Sequence, residues 1–199
     1  MTDDGLRSRG MRDLGPEAMR RFRAVERSFL DVTGSRGYQE IRTPSIEPLH
    51  LFTATGALSP QLLDRVYSFL DWDGWSGERV VLRPDGTVPA ARWYEQRWQT
   101  TEPARLCYVQ PVYRFVAGDG EREQWQLGVE LFGLAAPEAD GELLLLAREL
   151  LEALGLRDLT FDLSHAGLVR AALGAAGLDV ARSEEHTSEL QSRFGISYA

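Results

Sequence analysis

The segments Arg105-Leu-Cys-Tyr-Val-Gln-Pro-Val-Tyr-Arg114 and Trp125-Gln-Leu-Gly-Val-Glu-Leu-Phe-Gly133 are two apolar strand patterns that carry polar side chains at selected positions. A short polar loop separates them, which is typical of a β-hairpin. Gln126 and Glu130 are four residues apart, so the two-residue period of a strand places both on one face of the sheet. Arg114 ends the first strand. The sequence therefore predicts that a guanidinium, an amide and a carboxylate converge.

A second polar group follows the apolar run that ends at Leu82. Here Arg83-Pro-Asp-Gly-Thr87 predicts a tight turn that brings a carboxylate, Asp85, and a hydroxyl, Thr87, to the same face. Such a pocket suits a small zwitterion with a polar ring. The alternative is an internal ion pair among Asp85, Glu130 and Arg114, although desolvation makes buried charge clusters a poor source of stability. The side chains alone leave both interpretations open.

Four segments together resemble the class II histidyl-tRNA synthetase family and its non-catalytic paralogue, the regulatory subunit of ATP phosphoribosyltransferase. The resemblance runs from about Arg9 to Asp179. Each segment is weak alone, and the set is specific. The segments are Gly10-Met-Arg-Asp-Leu-Gly-Pro16, Gly37-Tyr-Gln-Glu-Ile-Arg-Thr-Pro44-Ser-Ile-Glu-Pro48, Arg83 to Thr87, and Arg105 to Gly133.

The resemblance implies a histidine-binding site with a role for each polar side chain. Asp85, Thr87 and Gln126 would hold the α-ammonium group, and Glu130 would accept an imidazole N–H. Arg114 would face the carboxylate or an adjoining phosphate. The full implied set of histidine-binding residues is Asp85, Gly86, Thr87, Arg114, Gln126 and Glu130.

The residues after Arg114 separate an active synthetase from a regulator. In active members of the family an acidic residue two positions after the motif-two arginine accepts a hydrogen bond from adenine, and the loop beyond it is basic. This chain has Val116 at that position and acidic residues in Gly118-Asp-Gly-Glu121. Valine cannot accept a hydrogen bond. The sequence therefore predicts a regulatory subunit that binds histidine and contributes no catalytic residue to the first step of histidine biosynthesis.

Two other functions remain open. One is a histidine-tRNA ligase core that activates histidine with ATP and Mg²⁺ and transfers it to tRNA. The other is an orphan interaction scaffold. For the regulator, the resemblance implies histidine as ligand, no cofactor, and the short-form catalytic ATP phosphoribosyltransferase subunit as partner, in a hetero-oligomer that contains dimers of this chain.

Composition narrows the remaining classes of function. The formal net charge of −8 argues against a self-sufficient nucleic-acid-binding module. The single cysteine, Cys107, lies in an apolar strand pattern and is predicted to be a core residue. His50 and His165 lack neighbouring ligands at metal-binding spacing, so no metal site is predicted. With no membrane-length apolar run and no signal-peptide pattern, we expect a cytoplasmic protein.

The periodicities predict an α+β domain with a mixed, mostly antiparallel sheet flanked by helices that begin near Pro16 and Pro137. The first helix has an apolar stripe of Met19, Phe22, Val25 and Phe29. Further elements are also predicted: a strand at 38–42, a hairpin formed by 67–71 and 79–82, a helix at 88–98, the hairpin of 105–115 and 124–132, a strand at 159–163 and a helix from 166.

The last eighteen residues read as a foreign tail. Arg182-Ser-Glu-Glu-His-Thr-Ser-Glu-Leu-Gln-Ser192 matches the in-frame translation of a common sequencing adaptor, and Ile196 to Ala199 matches its continuation. We therefore expect residues 1–181 to form a synthetase-like core cut off at its C-terminus, and residues 182–199 to be unstructured.

Overall fold

A long antiparallel hairpin is the centre of the computed structural model, which describes residues 6–54, 65–72, 74–98, 100–118, 120–164 and 166–175. The described residues fall in two compact units, which are divided between Leu156 and Arg157. The described elements of the first unit are helices α1 (Pro16–Ser35), α2 (Leu49–Ala54), α3 (Thr87–Arg97) and α4 (Pro137–Ala153), and strands β1 (Gln39–Glu40), β2 (Ile46–Pro48), β3 (Ser68–Trp72), β4 (Gly77–Leu82), β5 (Ala104–Tyr113) and β6 (Glu123–Phe132). The second unit contains helix α5 (Ala166–Ala175).

The strands divide between two three-stranded sheets. In the central sheet, β5 pairs antiparallel with β6 along their whole length, from Ala104 opposite Phe132 to Tyr113 opposite Glu123. Strand β1 adds to the free side of β5 in parallel orientation. The second sheet has the order β2-β4-β3 and is antiparallel throughout. The predicted mixed, mostly antiparallel α+β fold is thus confirmed, with two sheets in place of the single sheet that was expected.

The central sheet has a different apolar layer on each face. On one face, Cys107 packs with Phe29, Tyr38 and Leu146, which lie on or beside helices α1 and α4. On the other face, Leu106 and Tyr108 pack with Ile41 and with residues of helix α3, including Ala90 and Trp93. Alternation along β5 explains this division, because neighbouring residues of a strand point to opposite faces. Cys107 is a buried core residue, as predicted.

Helices α1 and α4 both begin with proline at the predicted positions. Proline is tolerated there because an N–H in the first turn has no intrahelical acceptor, so no hydrogen bond is lost. In α1, Phe29 is buried as predicted, but Val25 is 37% exposed. The buried stripe instead includes Thr33, whose hydroxyl donates to the carbonyl oxygen of Phe29 at 2.8 Å. A hydroxyl that satisfies itself within its own helix can be buried at little cost.

One ion pair fastens helix α4 to the central sheet. Arg105 on β5 donates from Nε and Nη2 to the two carboxylate oxygens of Glu142, each at 2.7 Å. The hydroxyl of Tyr38 donates to the same carboxylate at 3.0 Å. These hydrogen bonds hold the pKa of Glu142 below its ordinary value, and the bond from Arg105 is the main cause.

Two details correct the sequence-based description. Residues 159–163 form no strand, since a strand needs a neighbour and none pairs with them among the described residues. Strand β5 ends at Tyr113, so Arg114 lies one residue beyond it. The predicted boundary at residue 181 and the tail that follows lie outside the described residues. In the part of the chain that the structure describes, none of the helices combines the length and apolar character needed to cross a membrane.

Candidate functional site

The β5–β6 register determines which polar side chains share a face. Leu106 lies opposite Glu130, Tyr108 opposite Gly128, and Gln110 opposite Gln126. Residues directly opposite in an antiparallel pair point to the same side. Gln126 and Glu130 therefore lie on one face, as the strand period predicted, and this is the face that α3 covers.

Tyr108 forms the floor of this polar group. Its ring is 1% exposed and lies between two glycines, Gly86 and Gly128. A Cβ atom added at Gly86 would come within 2.4 Å of the ring, and one added at Gly128 within 2.2 Å. Both positions must therefore remain glycine for the ring to occupy this place. The Tyr108 hydroxyl donates to Oε1 of Glu130 at 3.0 Å.

The turn between β4 and α3 is joined to the same face by its backbone. The Gly86 N–H donates to Oε1 of Gln126 at 3.0 Å, and the Val88 N–H donates to Oδ1 of Asp85 at 3.0 Å. Asp85 thus satisfies a free N–H of the first turn of α3. Nε of Arg114 donates to the carbonyl oxygen of Pro84 at 2.7 Å.

All six predicted site residues are therefore brought together by the fold. Gly86 is bonded to Gln126, Arg114 holds the residue that precedes Asp85, and the carboxylate of Asp85 is close enough to influence Glu130. Thr87 is exposed, and its side chain contacts both Glu130 and Tyr108.

Burial dominates the electrostatics of the site. It raises the pKa of Glu130 above its ordinary value, and the nearby Asp85 carboxylate raises it further, while hydrogen bonds with Thr87 and Tyr108 oppose the change. Burial also raises the pKa of Tyr108, and the adjacent Glu130 adds to the rise. The Tyr108 hydroxyl therefore stays protonated and remains a donor at neutral pH. Two carboxylates with a single guanidinium favour a ligand that offers N–H donors and positive charge.

Tyr108 was not among the residues singled out from the sequence. The signal that marks it is Gly128 in the middle of the opposite strand, because an interior strand glycine often accompanies the close approach of another group. That signal can be used only when the register is known.

The loop between β5 and β6 also contains a residue that the sequence interpretation overlooked. Arg122 lies over the ring of Phe115, with its Cζ atom 4.5 Å from the ring centroid, and its Nε donates to the Val116 carbonyl oxygen at 3.0 Å. The acidic residue Glu121 is paired with Arg12 at 2.7 Å. Val116 is 37% exposed. An apolar side chain therefore lies where active members of the family have the acidic residue that accepts from adenine.

Two clefts lie away from the six predicted site residues. One of about 610 Å³ is lined by Leu14, Phe22 and Trp125 among others, and one of about 510 Å³ by residues 7–12 and Glu121. None of the six predicted site residues lines either cleft. Among the described residues, no group of three or more histidine, cysteine or acidic side chains is arranged to hold a metal ion.

A mixed, mostly antiparallel central sheet with helices on both faces, and with the polar site on the face that α3 covers, defines a class II aminoacyl-tRNA synthetase-like fold. Residues 10–195 match the family described as histidyl-tRNA synthetase, and the chain belongs to that family.

Individual relatives include both a regulator and an enzyme. The chain is 54% identical over 181 residues to an ATP phosphoribosyltransferase regulatory subunit of Dehalococcoides mccartyi, which covers 90% of this chain and 43% of that protein. It is 34% identical over 164 residues to a histidine–tRNA ligase of Alkaliphilus oremlandii, covering 80% of this chain and 38% of that protein. The chain thus spans less than half the length of these relatives.

A solved structure shows the same fold. The crystal structure of an ATP phosphoribosyltransferase regulatory subunit/histidyl-tRNA synthetase from Bacillus halodurans superposes with a TM-score of 0.68 at 31% identity. The superposition covers 78% of this chain and 40% of that one.

Proposed function

We propose that this chain acts as a non-catalytic regulatory subunit of ATP phosphoribosyltransferase and binds histidine on the α3 face of the β5–β6 hairpin. The observation that supports the proposal is the grouping of the candidate amino-acid-binding side chains on one face, together with valine at position 116, where active members of the family carry the carboxylate that accepts from adenine. Asp85, Gln126 and Glu130 converge, whereas Val116 presents an apolar side chain. Such a combination favours binding without activation.

Histidine fits this group of donors and acceptors at both of its ends. The α-ammonium group would lie near Asp85, Thr87 and Gln126. Oε1 of Gln126 already accepts from the Gly86 N–H, but a carbonyl oxygen has two lone pairs and can accept again. The imidazole would donate one N–H to Glu130, whose orientation is held by Tyr108. A ligand that lacks this donor would leave one acceptor position of the partly buried Glu130 carboxylate without its partner, which costs about 1 to 3 kcal/mol.

Regulation would follow from linkage with a partner. The 54% identical relative is a regulatory subunit by name, so the partner we propose is the short catalytic ATP phosphoribosyltransferase subunit, in a hetero-oligomer that contains dimers of this chain. Histidine would bind one state of this complex more tightly than another. The difference is the coupling free energy, about 1 to 3 kcal/mol in typical allosteric proteins.

The second candidate is histidine activation, favoured by the 34% identity to a histidine–tRNA ligase. It would require ATP to bind beside Arg114, with Val116 and Phe115 in place of polar adenine contacts. The stacking of Arg122 on Phe115 supports the regulator, because this guanidinium is engaged within its own loop.

Two measurements on one preparation test the proposal. Calorimetry would give the histidine affinity, and histidine-dependent exchange of pyrophosphate into ATP would report adenylate formation. We expect binding without exchange. Glu130→Gln should reduce affinity, since an amide is a weaker acceptor than a carboxylate. Glu123→Gln is the matched control, because Glu123 lies on the same strand but on the opposite face.

Each contrary result has a defined meaning. Clear exchange activity would make the synthetase function correct. Absence of histidine binding, both in the free chain and with the catalytic subunit present, would leave only an interaction scaffold. Because the chain spans 43% of its D. mccartyi relative, the same measurements should be repeated on that full-length protein with the matching substitutions.

A further inference from the structure

Arg83 is the most deeply buried charged residue near the site, with 1% of its surface exposed. Among the described residues, its guanidinium donates to oxygens of uncharged groups. Nε donates to the Pro111 carbonyl oxygen at 2.8 Å, and Nη1 to the carbonyl oxygens of Thr43 and Pro44 at 2.7 and 2.9 Å. Burial lowers its pKa. Burying a guanidinium costs desolvation free energy. In return, Arg83 makes directed hydrogen bonds that an apolar side chain could not make.

The backbone of Arg83 is hydrogen-bonded to the same two segments as its side chain. Its N–H donates to the Ser45 carbonyl oxygen at 3.0 Å, and its own carbonyl oxygen accepts from the Tyr113 N–H at 3.0 Å. Arg83 therefore joins the segment before β2 to the end of β5. A planar guanidinium with donors in fixed directions is suited to such a joint, whereas an ammonium group on a flexible chain is not.

The turn that follows Arg83 carries one end of the proposed site. Pro84 accepts from Arg114, Asp85 is bonded to the first turn of α3, and Gly86 is bonded to Gln126. In the proposed function, Asp85 and Thr87 of this turn hold the ammonium group together with Gln126. Glu130 is on β6 and is oriented by Tyr108 within the long β5–β6 ladder, which Arg83 does not interrupt.

We propose that Arg83 is a positioning residue that sets the turn of residues 84–87 and thereby selects for the ammonium group of the ligand. The inference rests on the proposed function for its ligand, but the placement of the turn is a property of the free protein. Arg83 is not among the residues proposed to contact the ligand. It acts on ligand affinity through Asp85 and Gly86.

The first test compares two ligands that differ only in the ammonium group, histidine and 3-(imidazol-4-yl)propionate. In Arg83→Lys the histidine affinity should fall about tenfold, as expected for misplaced hydrogen bonds to a charged group. The affinity for the propionate should change by less than about twofold because Glu130 is unaffected. Arg83→Met, which removes the charge as well, should further lower the ratio of the histidine affinity to the propionate affinity.

Arg105→Lys is the control for general destabilisation. Arg105 makes a two-point bond to Glu142 on the opposite face of the sheet, so its replacement should lower the melting temperature without altering the ratio of the two affinities. If Arg83→Met does not fold, Arg83→Lys alone still reports the ratio.

The second test needs no ligand. Hydrogen exchange of individual amides, followed by NMR, should quicken in Arg83→Lys at Gly86 and Val88, whose N–H groups bond to Gln126 and Asp85. Amides in the middle of the β5–β6 ladder should keep their rates. Unchanged exchange at Gly86 and Val88 would overturn the inference, as would an equal loss of affinity for both ligands. Faster exchange in a protein that binds no histidine would keep the positioning role and reject the proposed ligand.

Discussion

Tyr108 and Glu130 are joined diagonally across the β5–β6 ladder. The residue opposite Tyr108 is Gly128, yet the Tyr108 hydroxyl donates to the carboxylate of Glu130, two residues further along β6, at 3.0 Å. Because Gly128 has no side chain, it leaves room for the Tyr108 ring. The Glu130 carboxylate, which is proposed to accept the imidazole N–H, is therefore held by the Tyr108 hydroxyl, which stays protonated at physiological pH.

The first prediction concerns this hydrogen bond. Tyr108→Phe should reduce histidine affinity about three- to tenfold, because Glu130 loses a donor that orients it and favours its charged form. The pKa of Glu130 should rise further, which carboxyl NMR of Glu130 would measure. Tyr113→Phe is the control, since its hydroxyl donates to Glu123 at 3.4 Å on the other face. Equal effects from both substitutions would contradict a specific role for Tyr108.

Packing around the Tyr108 ring supplies the second prediction. Gly128→Ala places a methyl group where only 2.2 Å separates it from the ring, so the free energy of unfolding should fall by about 1 to 3 kcal/mol and histidine binding should be lost. Tyr108→Ala should destabilise the Gly128→Ala protein less than it destabilises the wild type, because the added methyl group then meets no ring, and it should not restore binding. Gly141→Ala within α4 meets no atom within 4 Å and should stabilise by about 0.5 to 1 kcal/mol. Denaturant titration measures all three.

The third prediction is the sign of the pH dependence at Glu130. Its folded-state pKa is raised, mainly by burial, so the folded protein binds the proton more tightly than the unfolded chain does. The contribution of this group to stability is therefore greatest below its ordinary pKa and decreases as the pH rises through the folded-state value. Glu130→Gln should remove this decline and raise stability at neutral pH, although it weakens histidine binding. A less stable variant at pH 7 would contradict the assignment.

Glu142 should behave in the opposite way, which is the fourth prediction. Its pKa is lowered, chiefly by the hydrogen bonds from Arg105, so its contribution is present above its ordinary value and is lost as the pH falls through the folded-state value. Glu142→Gln should cost about 1 kcal/mol at pH 7, a modest figure for a partly exposed pair. Wild type and variant should converge in stability at low pH. Paired unfolding curves at several pH values would check this.

Local patterns in the sequence accounted for much of the architecture. Proline at the first helical position marked the starts of α1 and α4. The strand patterns at 105–115 and 124–132 predicted the hairpin and the common face of Gln126 and Glu130. These features depend on neighbours within a few residues of one another. The predicted strand at 159–163 was wrong for the complementary reason, because an alternating segment becomes a strand only if another strand pairs with it.

The sequence by itself thus determined the two long helices, the central hairpin, the candidate ligand-binding residues and the family, since all of these are encoded in short motifs. The tertiary structure alone placed Arg83 at the joint between Thr43 and Pro111, brought Tyr108 to Glu130, and turned Arg122 back onto Phe115. Register between strands and burial of charge depend on contacts between segments that are distant along the chain. Their free energies are fixed only when the desolvated groups find partners in three dimensions.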